Sequence, residues 1–348
     1  MASPQSKIRV AVNGYGVIGK RVADAIALQD DMEVAGVVDV ETDWRMQAAL
    51  KKGFDLFAAG ADRLDVMRGA GLDVAGGLED LLAKTDVVVD CTPKKIAAKN
   101  VVTYRDRRVK FIVQGGEKHE LTGHSFVAEA SYAGAVGRSA TRVVSCNTTS
   151  IVRTLNALKR VGLLRRARGT LLRRATDPWE SHKGGIMNTL VPEAEIPSHQ
   201  GPDAKTVDPD LDVVTMAVKV PETLAHLHYW VVELTRKASK DEVLAALRAS
   251  SRIALIRMKD GLTALNTVKE LMADSGRPRD NMYEVALWAD MLAVEGDEAF
   301  YAYIVDNQAI VIPETIDAIR ALTGRETEGA VSMQKTDASL GIGAPFSL

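Results

Sequence analysis

The chain has 348 residues, of which 46% are hydrophobic and 26% are charged, a composition typical of a globular protein with about two domains. Its 44 basic and 46 acidic residues leave a net charge of −2, so no overall field favours nucleic acid or an anionic membrane as a partner. The two cysteines and the histidines do not show the spacing of a zinc site, and we therefore predict no metal site. Small molecules are the expected partners.

We also predict a cytoplasmic protein with no membrane segment. The opening residues lack the apolar core of a signal peptide, and no apolar run approaches the roughly 20 residues that a membrane helix needs. Two cysteines cannot build a disulfide framework, which agrees with a reducing compartment.

The first third of the chain alternates short β-branched runs with segments of helical period. The runs at 8–12, 34–38, 87–91 and 111–114 predict strands, and 17–28 predicts the first helix. This βαβ pattern is typical of a parallel sheet.

Three glycines follow the first predicted strand. Gly14, Gly16 and Gly19 form G-x-G-x-x-G where the first helix begins, which is the context of a dinucleotide-binding turn. Missing side chains let a pyrophosphate approach the backbone, and the helix offers free N–H groups. The alternative is a glycine turn needed only for helix–sheet packing.

An acidic residue ends the second predicted strand. Asp39 lies 20 positions after Gly19, where a carboxylate can accept hydrogen bonds from an adenine ribose and would repel a 2′-phosphate. This favours NAD as the cofactor, although nearby Arg45 and Lys20 leave NADP possible. The alternative is an exposed aspartate in a turn.

One cysteine lies between a predicted strand at 142–145 and a predicted helix at 147–161. At the start of that helix, Cys146 would feel the helix dipole and free N–H groups, which stabilise a thiolate and lower the thiol pKa. The same groups could form an oxyanion hole. The alternative is a small buried side chain, the reading that we favour for Cys91.

From about residue 169 the strand-like segments become longer. Those at 170–177, 212–220 and 226–235 predict a mixed or antiparallel sheet in a second domain. His226 and His228 alternate along the last of them, so both face the same side and one could reach Cys146 as its base. The alternative is a pair of half-buried histidines satisfied by backbone groups. A helix is predicted at 313–322, followed by a polar tail that packs on the first domain.

A run of arginines begins just before the first predicted strand of the second domain and continues into it. Arg173 and Arg174 could bind a phosphate through their forked N–H groups, whereas the run at 165–168 reads as a solvated face. No aromatic residues are interleaved with them, which argues against nucleic acid.

Seven segments together resemble the archaeal-type, or type II, phosphorylating glyceraldehyde-3-phosphate dehydrogenases. In chain order they read NGYGVIGKRVADAI, DCTPKKIAAKN, VQGGEKHE, VVSCNTTSIVRTL, RRATDP, PSHQGPDAKTV and VPETLAHLHYWVVEL. The resemblance implies an α/β protein with a Rossmann dinucleotide-binding domain (1–145 and 308–348, completed by the C-terminal helix). It also implies an α+β catalytic domain (146–307) with a mixed or antiparallel sheet, and a homotetramer.

The resemblance also implies residue roles. Cys146 would be the nucleophile and His226 its acid–base partner. The residues expected to bind substrate or phosphate are Ser145, Asn147, Thr148, Arg174, His199 and Gln200. Besides the three glycines and Asp39, those expected to contact the dinucleotide are Val17, Ile18, Gly115, Arg173 and Asn307, Arg173 lying near cofactor or phosphate. The chain departs from the family at His199–Gln200, where two histidines are usual, and at Asn307, where a glutamine is usual.

The implied reaction oxidises glyceraldehyde 3-phosphate with NAD(P) and inorganic phosphate through a thioester on Cys146. Two alternatives remain open at this stage. One is a related aldehyde dehydrogenase of the semialdehyde or non-phosphorylating type, and the other is a non-catalytic NAD-sensing protein in which Cys146 would be unreactive.

Overall fold

The computed structural model describes residues 6–347, with positions 115, 179, 183 and 184 described by their backbone alone. The chain forms two compact units. Among the described residues, the first comprises 6–144 together with 312–340, and the second comprises 145–311 together with 341–347. The first five residues, on which part of the signal-peptide argument rests, lie outside the description.

The first unit is built on an eight-stranded sheet in which every pairing is parallel. Its strands are β1 (Ile8–Asn13), β2 (Met32–Asp39), β3 (Leu56–Ala58), β4 (Gly76–Gly77), β5 (Val87–Asp90), β6 (Lys110–Gly115), β7 (Ser125–Phe126) and β8 (Ala140–Val144). Their order is β4-β3-β2-β1-β5-β6-β8-β7. The chain order reverses between β1 and β5, and ligands of such sheets bind at that switch point, beyond the carboxyl ends of the strands.

Within the described residues, six α-helices lie between these strands. They are α1 (Val17–Ala27), α2 (Trp44–Lys51), α3 (Ala61–Gly69), α4 (Leu78–Leu82), α5 (Ala97–Asp106) and α6 (Ala128–Ala135). The β-branched runs of the sequence become buried strands because a parallel sheet covered on its faces buries successive side chains, as all four residues of β5 show. The four predicted strands and the first helix are confirmed, each end lying within two residues of its predicted position.

A buried polar network joins the carboxyl ends of β1 and β5. The Tyr104 hydroxyl donates to Asp90 Oδ2 at 2.7 Å and accepts from Asn13 Nδ2 at 2.6 Å. Asp90 Oδ1 also accepts from the backbone N–H of Thr92 at 3.0 Å. The network therefore holds the loop after β5 beside the turn after β1.

The second unit is built on a mixed sheet. Its strands are β9 (Leu164–Arg174), β10 (Val191–Pro192), β11 (Val213–Val220), β12 (His226–Leu234), β13 (Ile253–Ile256), β14 (Val285–Trp288), β15 (Ala293–Glu295) and β16 (Glu298–Val305). The order is β10-β11-β9-β12-β16-β14-β13, with β15 paired to β16. β9 runs parallel to β11 and antiparallel to β12, so the predicted mixed sheet is confirmed.

The α-helices described in the second unit are α7 (Cys146–Arg160), α8 (Ser181–Gly184), α9 (Gln200–Lys205), α10 (Lys240–Arg248) and α11 (Leu265–Asp274). α7 is the most deeply buried, and Ile151, Leu155 and Leu158 on its apolar stripe are fully buried. Arg153 is also fully buried and donates to the carbonyls of Tyr283 and Ile310, at 2.8 and 3.1 Å. Charged hydrogen bonds of this kind fix the helix in one position.

Two C-terminal helices return to the first unit. They are α12 (Val311–Thr323), which begins two residues before the predicted start, and α13 (Gly329–Leu340). The buried Arg320 of α12 donates to Asp31 at 2.8 Å and to Thr336 of α13 at 2.8 Å. The predicted helix and the return of the chain to the first unit are both observed.

The predicted domain boundaries need three corrections. The second unit, and not the dinucleotide-binding domain, contains Ser145, residues 308–311 and the C-terminal segment 341–347. The segment is held by Glu284, which is fully buried, accepts from Gly343 N at 2.6 Å and pairs with Arg277 at 2.7 Å. Arg277 also donates to the Gly341 carbonyl at 2.7 Å. A buried carboxylate needs such donors, and they fix the tail there.

Within residues 6–347, no helix is both long enough and apolar enough to cross a membrane.

The Tyr104 network generates a stability prediction. Tyr104→Phe removes the hydroxyl that links Asn13 to Asp90 and leaves buried polar groups without that partner. We expect the free energy of unfolding to fall by about 1 to 3 kcal/mol. Urea unfolding measures the loss, with Val102→Ala on the same helix as a control because that side chain is exposed. An unchanged stability of Tyr104→Phe would contradict the network's structural role.

Candidate active site

Cys146 lies at the start of α7 in the second unit, as the sequence predicted. Ser145 caps the helix, and its hydroxyl oxygen accepts from Thr148 N at 3.3 Å. The Thr148 hydroxyl contacts Ser145 Oγ at 2.9 Å and donates to Asp203 Oδ2 at 2.6 Å. These contacts hold the start of the helix in place, and the contact of Thr148 with substrate stays a prediction.

His226 reaches the sulfur from the neighbouring strand β12. Its Nε2 lies 3.4 Å from Cys146 Sγ, and its Nδ1 accepts from the backbone N–H of Arg174 at 3.0 Å. A neutral imidazole carries one proton, so the Arg174 contact places that proton on Nε2, facing the sulfur. The strand alternation that predicted this approach is observed, because His226 and His228 are both buried on one face.

Burial decides the protonation of this pair. It raises the pKa of the Cys146 thiol to about 11, although Arg174, the Asn147 backbone N–H and Arg173 all act to lower it. Burial also holds the pKa of His226 well below its usual range, and His228, Arg174 and Arg173 add to that effect. The expected lowering of the thiol pKa is therefore wrong: loss of water outweighs the helix terminus. In the free protein the pair is a neutral thiol beside a neutral imidazole.

His228 is bonded on both sides within the core. Its Nδ1 contacts the Tyr303 hydroxyl at 3.0 Å, and its Nε2 contacts Asn147 Oδ1 at 2.8 Å. Burial, with a smaller effect of Arg173, lowers the pKa of His228 to about 3. His228 thus fixes the amide group of Asn147 through its oxygen.

The two arginines at the end of β9 are each paired with a carboxylate. Arg173 contacts Glu193, and Arg174 lies 3.0 Å from Asp177. Glu193 also accepts from Gln200 Nε2 at 3.4 Å and contacts His199 Nδ1 at 3.1 Å. The structure therefore gathers the predicted Arg173, His199 and Gln200 around one acidic side chain that the sequence analysis missed.

Several buried polar atoms near these residues lack a partner within the described part of the chain. They are Thr149 Oγ1, Arg173 Nε, Arg174 Nε, Gln200 Oε1 and Asn307 Oδ1. Unpaired buried polar atoms are costly, and a bound ligand is one way to satisfy them. The unpaired Oδ1 of Asn307 agrees with the predicted contact of this side chain with the dinucleotide. The neighbouring Gln308 has a longer side chain, and its Nε2 donates to Asp177 at 2.7 Å.

The glycine turn of the first unit fits a dinucleotide. Gly14 has φ +91°, and a Cβ there would lie 2.9 Å from the backbone of Cys91 and Thr92. A Cβ on Gly19 would lie 1.8 Å from the Gly14 carbonyl oxygen, so the helix can approach only a glycine. A Cβ on Gly16 would enter space free of other described atoms within 4 Å, which is room that a pyrophosphate can use.

The start of α1 supplies donors to that space. Gly16 is the N-cap and brings no side-chain cap, so the first backbone N–H groups, including those at Val17 and Ile18, remain for a ligand. Gly115 ends β6 opposite Val144 of β8, at the same carboxyl edge of the sheet. The predicted dinucleotide contacts of this unit thus share one edge.

Asp39 is buried at the end of β2 and accepts three backbone N–H bonds. Oδ2 accepts from Tyr15 at 2.7 Å, and Oδ1 accepts from Val40 at 2.7 Å and Glu41 at 3.1 Å. The alternative of an exposed turn aspartate is therefore wrong. With four acceptor positions on a carboxylate, Oδ2 retains one for a ribose hydroxyl.

Metal ligands were not predicted, and among the residues described no group of three or more His, Cys, Asp or Glu side chains is arranged to hold a metal ion.

The pKa of Cys146 gives a reactivity prediction. Below pH 11 the thiolate fraction rises tenfold per pH unit, so in a Cys91→Ala background the rate of alkylation by iodoacetamide should rise about tenfold per unit from pH 7 to 9.5. Arg174→Met removes a cation that lowers this pKa and should slow the reaction at every pH. A plateau of the rate below pH 8 would contradict the raised pKa.

Comparison with known proteins gives consistent results. Residues 145–275 match the family "Glyceraldehyde 3-phosphate dehydrogenase, C-terminal domain", and residues 8–122 match "Dihydrodipicolinate reductase, N-terminus". The glyceraldehyde-3-phosphate dehydrogenase of Archaeoglobus fulgidus is 44% identical, over 98% of this chain and 99% of that protein. Those of Methanobrevibacter smithii and Methanothermobacter thermautotrophicus are 43% and 42% identical, each over 96% of this chain and 99% of the relative.

These relatives are archaeal, as the resemblance predicted, and they match along nearly the whole chain. The chain belongs to the glyceraldehyde-3-phosphate dehydrogenase family, and it is a nicotinamide-dependent oxidoreductase that acts on an aldehyde group.

Proposed function

We propose that this protein oxidises glyceraldehyde 3-phosphate, with a nicotinamide cofactor and inorganic phosphate, to 1,3-bisphosphoglycerate. The observation that carries the proposal is the 3.4 Å approach of His226 Nε2 to Cys146 Sγ at the start of a buried helix. A nucleophile within reach of an acid–base group is the arrangement that covalent aldehyde oxidation needs.

Cys146 is the proposed nucleophile. The Cys146 thiol first loses its proton to solvent, and the thiolate forms the S–C bond to the aldehyde carbon. The carbonyl electron pair moves to oxygen, which takes up a proton and becomes the hydroxyl of the adduct. In the tautomer observed, Nε2–H of His226 can donate a hydrogen bond to that oxygen. To remove the hydroxyl proton of the adduct, His226 needs a lone pair on Nε2, so its proton must move to Nδ1 and the contact with Arg174 N must open.

The nicotinamide, when bound, supplies the acceptor for the hydride that leaves the adduct. The chain then holds a thioester on Cys146. An oxygen of inorganic phosphate attacks the thioester carbon, the C–S bond breaks, and the electron pair returns to the Cys146 sulfur as thiolate. The Arg173 and Arg174 guanidinium groups raise the stability of that thiolate because both lower its pKa.

The anionic parts of the substrates need cationic and hydrogen-bonding partners. Arg173, Arg174, His199 and Gln200 supply them around the end of β9, and unpaired Nε atoms on both arginines support this assignment. Ser145 and Asn147 flank Cys146 in sequence, and the Asn147 amide nitrogen is the group that we assign to the aldehyde oxygen.

NAD is the proposed cofactor in preference to NADP. The Asp39 carboxylate has one acceptor position left for a ribose hydroxyl and would repel a 2′-phosphate. The nearby cations are engaged, since Arg45 pairs with Asp43 at 2.7 Å and Lys20 lies 4.8 Å from the Trp44 ring centre.

A homotetramer is proposed from the family resemblance. An apolar patch supports self-association: Met216 on β11 and Tyr229 and Val231 on β12 are 44%, 44% and 37% exposed. Large apolar side chains grouped on one sheet face favour a protein partner, and a second copy of this chain is the one we propose. Cytoplasmic location remains a prediction from the sequence.

The rival functions predict different dependence on phosphate. A non-phosphorylating enzyme would turn over without inorganic phosphate, and an NAD-sensing protein would not turn over at all. A semialdehyde enzyme would be distinguished by its substrate, since it would prefer an aldehyde that carries a carboxylate to glyceraldehyde 3-phosphate. The paired arginines and the contact between Cys146 and His226 support the phosphorylating enzyme.

The function is tested by NADH formation from glyceraldehyde 3-phosphate, with and without inorganic phosphate. We expect sustained turnover only with phosphate, and no turnover in Cys146→Ser, which should still bind NAD because its dinucleotide turn is intact. Sustained turnover without phosphate, or activity retained in Cys146→Ser, would overturn the proposal.

Cofactor choice is tested at Asp39. Asp39→Asn removes the negative charge that repels a 2′-phosphate, and we expect the ratio of kcat/KM for NADP to that for NAD to rise about tenfold or more. Glu41→Gln removes a neighbouring exposed charge and is the matched control. An equal shift in both variants, or none in Asp39→Asn, would show that Asp39 does not select the cofactor.

A further inference from the structure

The cations at the end of β9 are already neutralised without any ligand. Arg173 is paired with Glu193 and Arg174 with Asp177. The first pair is largely shielded from water, with about a fifth of each side chain exposed (22% for Arg173 and 21% for Glu193). A phosphate that approaches these arginines therefore meets two carboxylates as well.

Glu193 is the more central of the two carboxylates. It contacts Arg173, His199 and Gln200, which are three of the four residues assigned to the anionic substrates. Its backbone is anchored to the sheet, because Glu193 N donates to the Ala217 carbonyl at 2.9 Å directly after β10 pairs with β11. The backbone of Glu193 is thus held at the edge of the sheet, and its carboxylate extends from a fixed position.

We propose that Glu193 is a built-in counter-anion, which occupies Arg173, His199 and Gln200 in the free protein and which phosphate must displace in order to bind. The inference rests on the proposed function, since it takes these three residues as part of the phosphate-binding site. Two anions beside one guanidinium repel each other, and a carboxylate offers two oxygens to the donors whereas phosphate offers more.

The ionisation of Glu193 supports this role. Burial would raise its pKa, but Arg173, His199 and Gln200 together outweigh burial and hold the pKa below its usual range. Glu193 therefore stays negatively charged at neutral pH, when phosphate arrives. The consequence is specificity: a dianion such as phosphate gains more from Arg173 than Glu193 does, whereas a monovalent anion has no such advantage.

The test is isothermal titration of the full-length protein with inorganic phosphate. Glu193→Gln keeps the shape and the hydrogen-bonding amide but removes the charge, and we expect the Kd for phosphate to fall about fivefold to tenfold. Glu195→Gln removes an exposed charge two residues away and should leave the Kd unchanged. Glu193→Asp keeps the charge and should bind phosphate no more tightly than the wild type.

Two results would overturn the inference. An unchanged Kd in Glu193→Gln would show that the carboxylate does not compete, and a weaker Kd would show that it positions Arg173 for the ligand instead. An unaltered far-UV circular dichroism spectrum and an unaltered midpoint of urea unfolding establish that each variant is folded. If Glu193→Gln proves unfolded, an unchanged or weaker phosphate Kd in Glu193→Ala decides against the inference in the same way.

Steady-state kinetics separate this inference from the proposed function. In Glu193→Gln we expect a lower KM for phosphate with little change in kcat, which a purely structural role would not produce. Phosphate-dependent turnover without that change would overturn the inference alone. Tighter phosphate binding by Glu193→Gln in a protein that shows no turnover would overturn the proposed function alone.

Discussion

The buried position of α7 is the constraint on which the candidate site depends. Because Arg153 is bonded to two carbonyls in the core and Thr148 is tied to Asp203, the first residue of the helix has little freedom. That residue is Cys146, and β12 brings His226 to it at 3.4 Å. The short contact between these two reactive groups is therefore held by a fixed helix, α7, and a fixed strand, β12. Helices and strands hold catalytic side chains in position more precisely than loops do.

The same burial creates an electrostatic problem for catalysis. It favours a neutral thiol and a neutral imidazole, while the proposed chemistry needs a thiolate. Arg173 and Arg174 oppose that cost, yet each is held by a carboxylate in the free protein. Substrate binding that frees these arginines from Glu193 or Asp177 would strengthen their effect on the sulfur. Phosphate recognition and thiol activation therefore depend on the same charges.

Local patterns predicted much of this arrangement. Gly14, Gly16 and Gly19 identified the dinucleotide turn, and the alternation of His226 and His228 along a strand placed one of them at Cys146. Properties that depend on burial, or on partners distant in sequence, could not be predicted from these local patterns. The thiol pKa was predicted in the wrong direction because sequence does not show burial. Glu193 was missed because it lies 20 residues from Arg173 and follows no recognisable motif, and the C-terminal tail was misplaced because its partner, Glu284, is distant in sequence.

The central claim is that Cys146 carries the reaction as a thioester. The most direct measurement is intact-protein and peptide mass spectrometry after mixing the protein with glyceraldehyde 3-phosphate and NAD in the absence of inorganic phosphate. We expect a single burst of about one NADH per chain, together with an acyl adduct on the peptide that contains Cys146, and we expect the adduct to disappear when phosphate is added. A burst with no adduct, or an adduct on Cys91 instead of Cys146, would contradict the central claim.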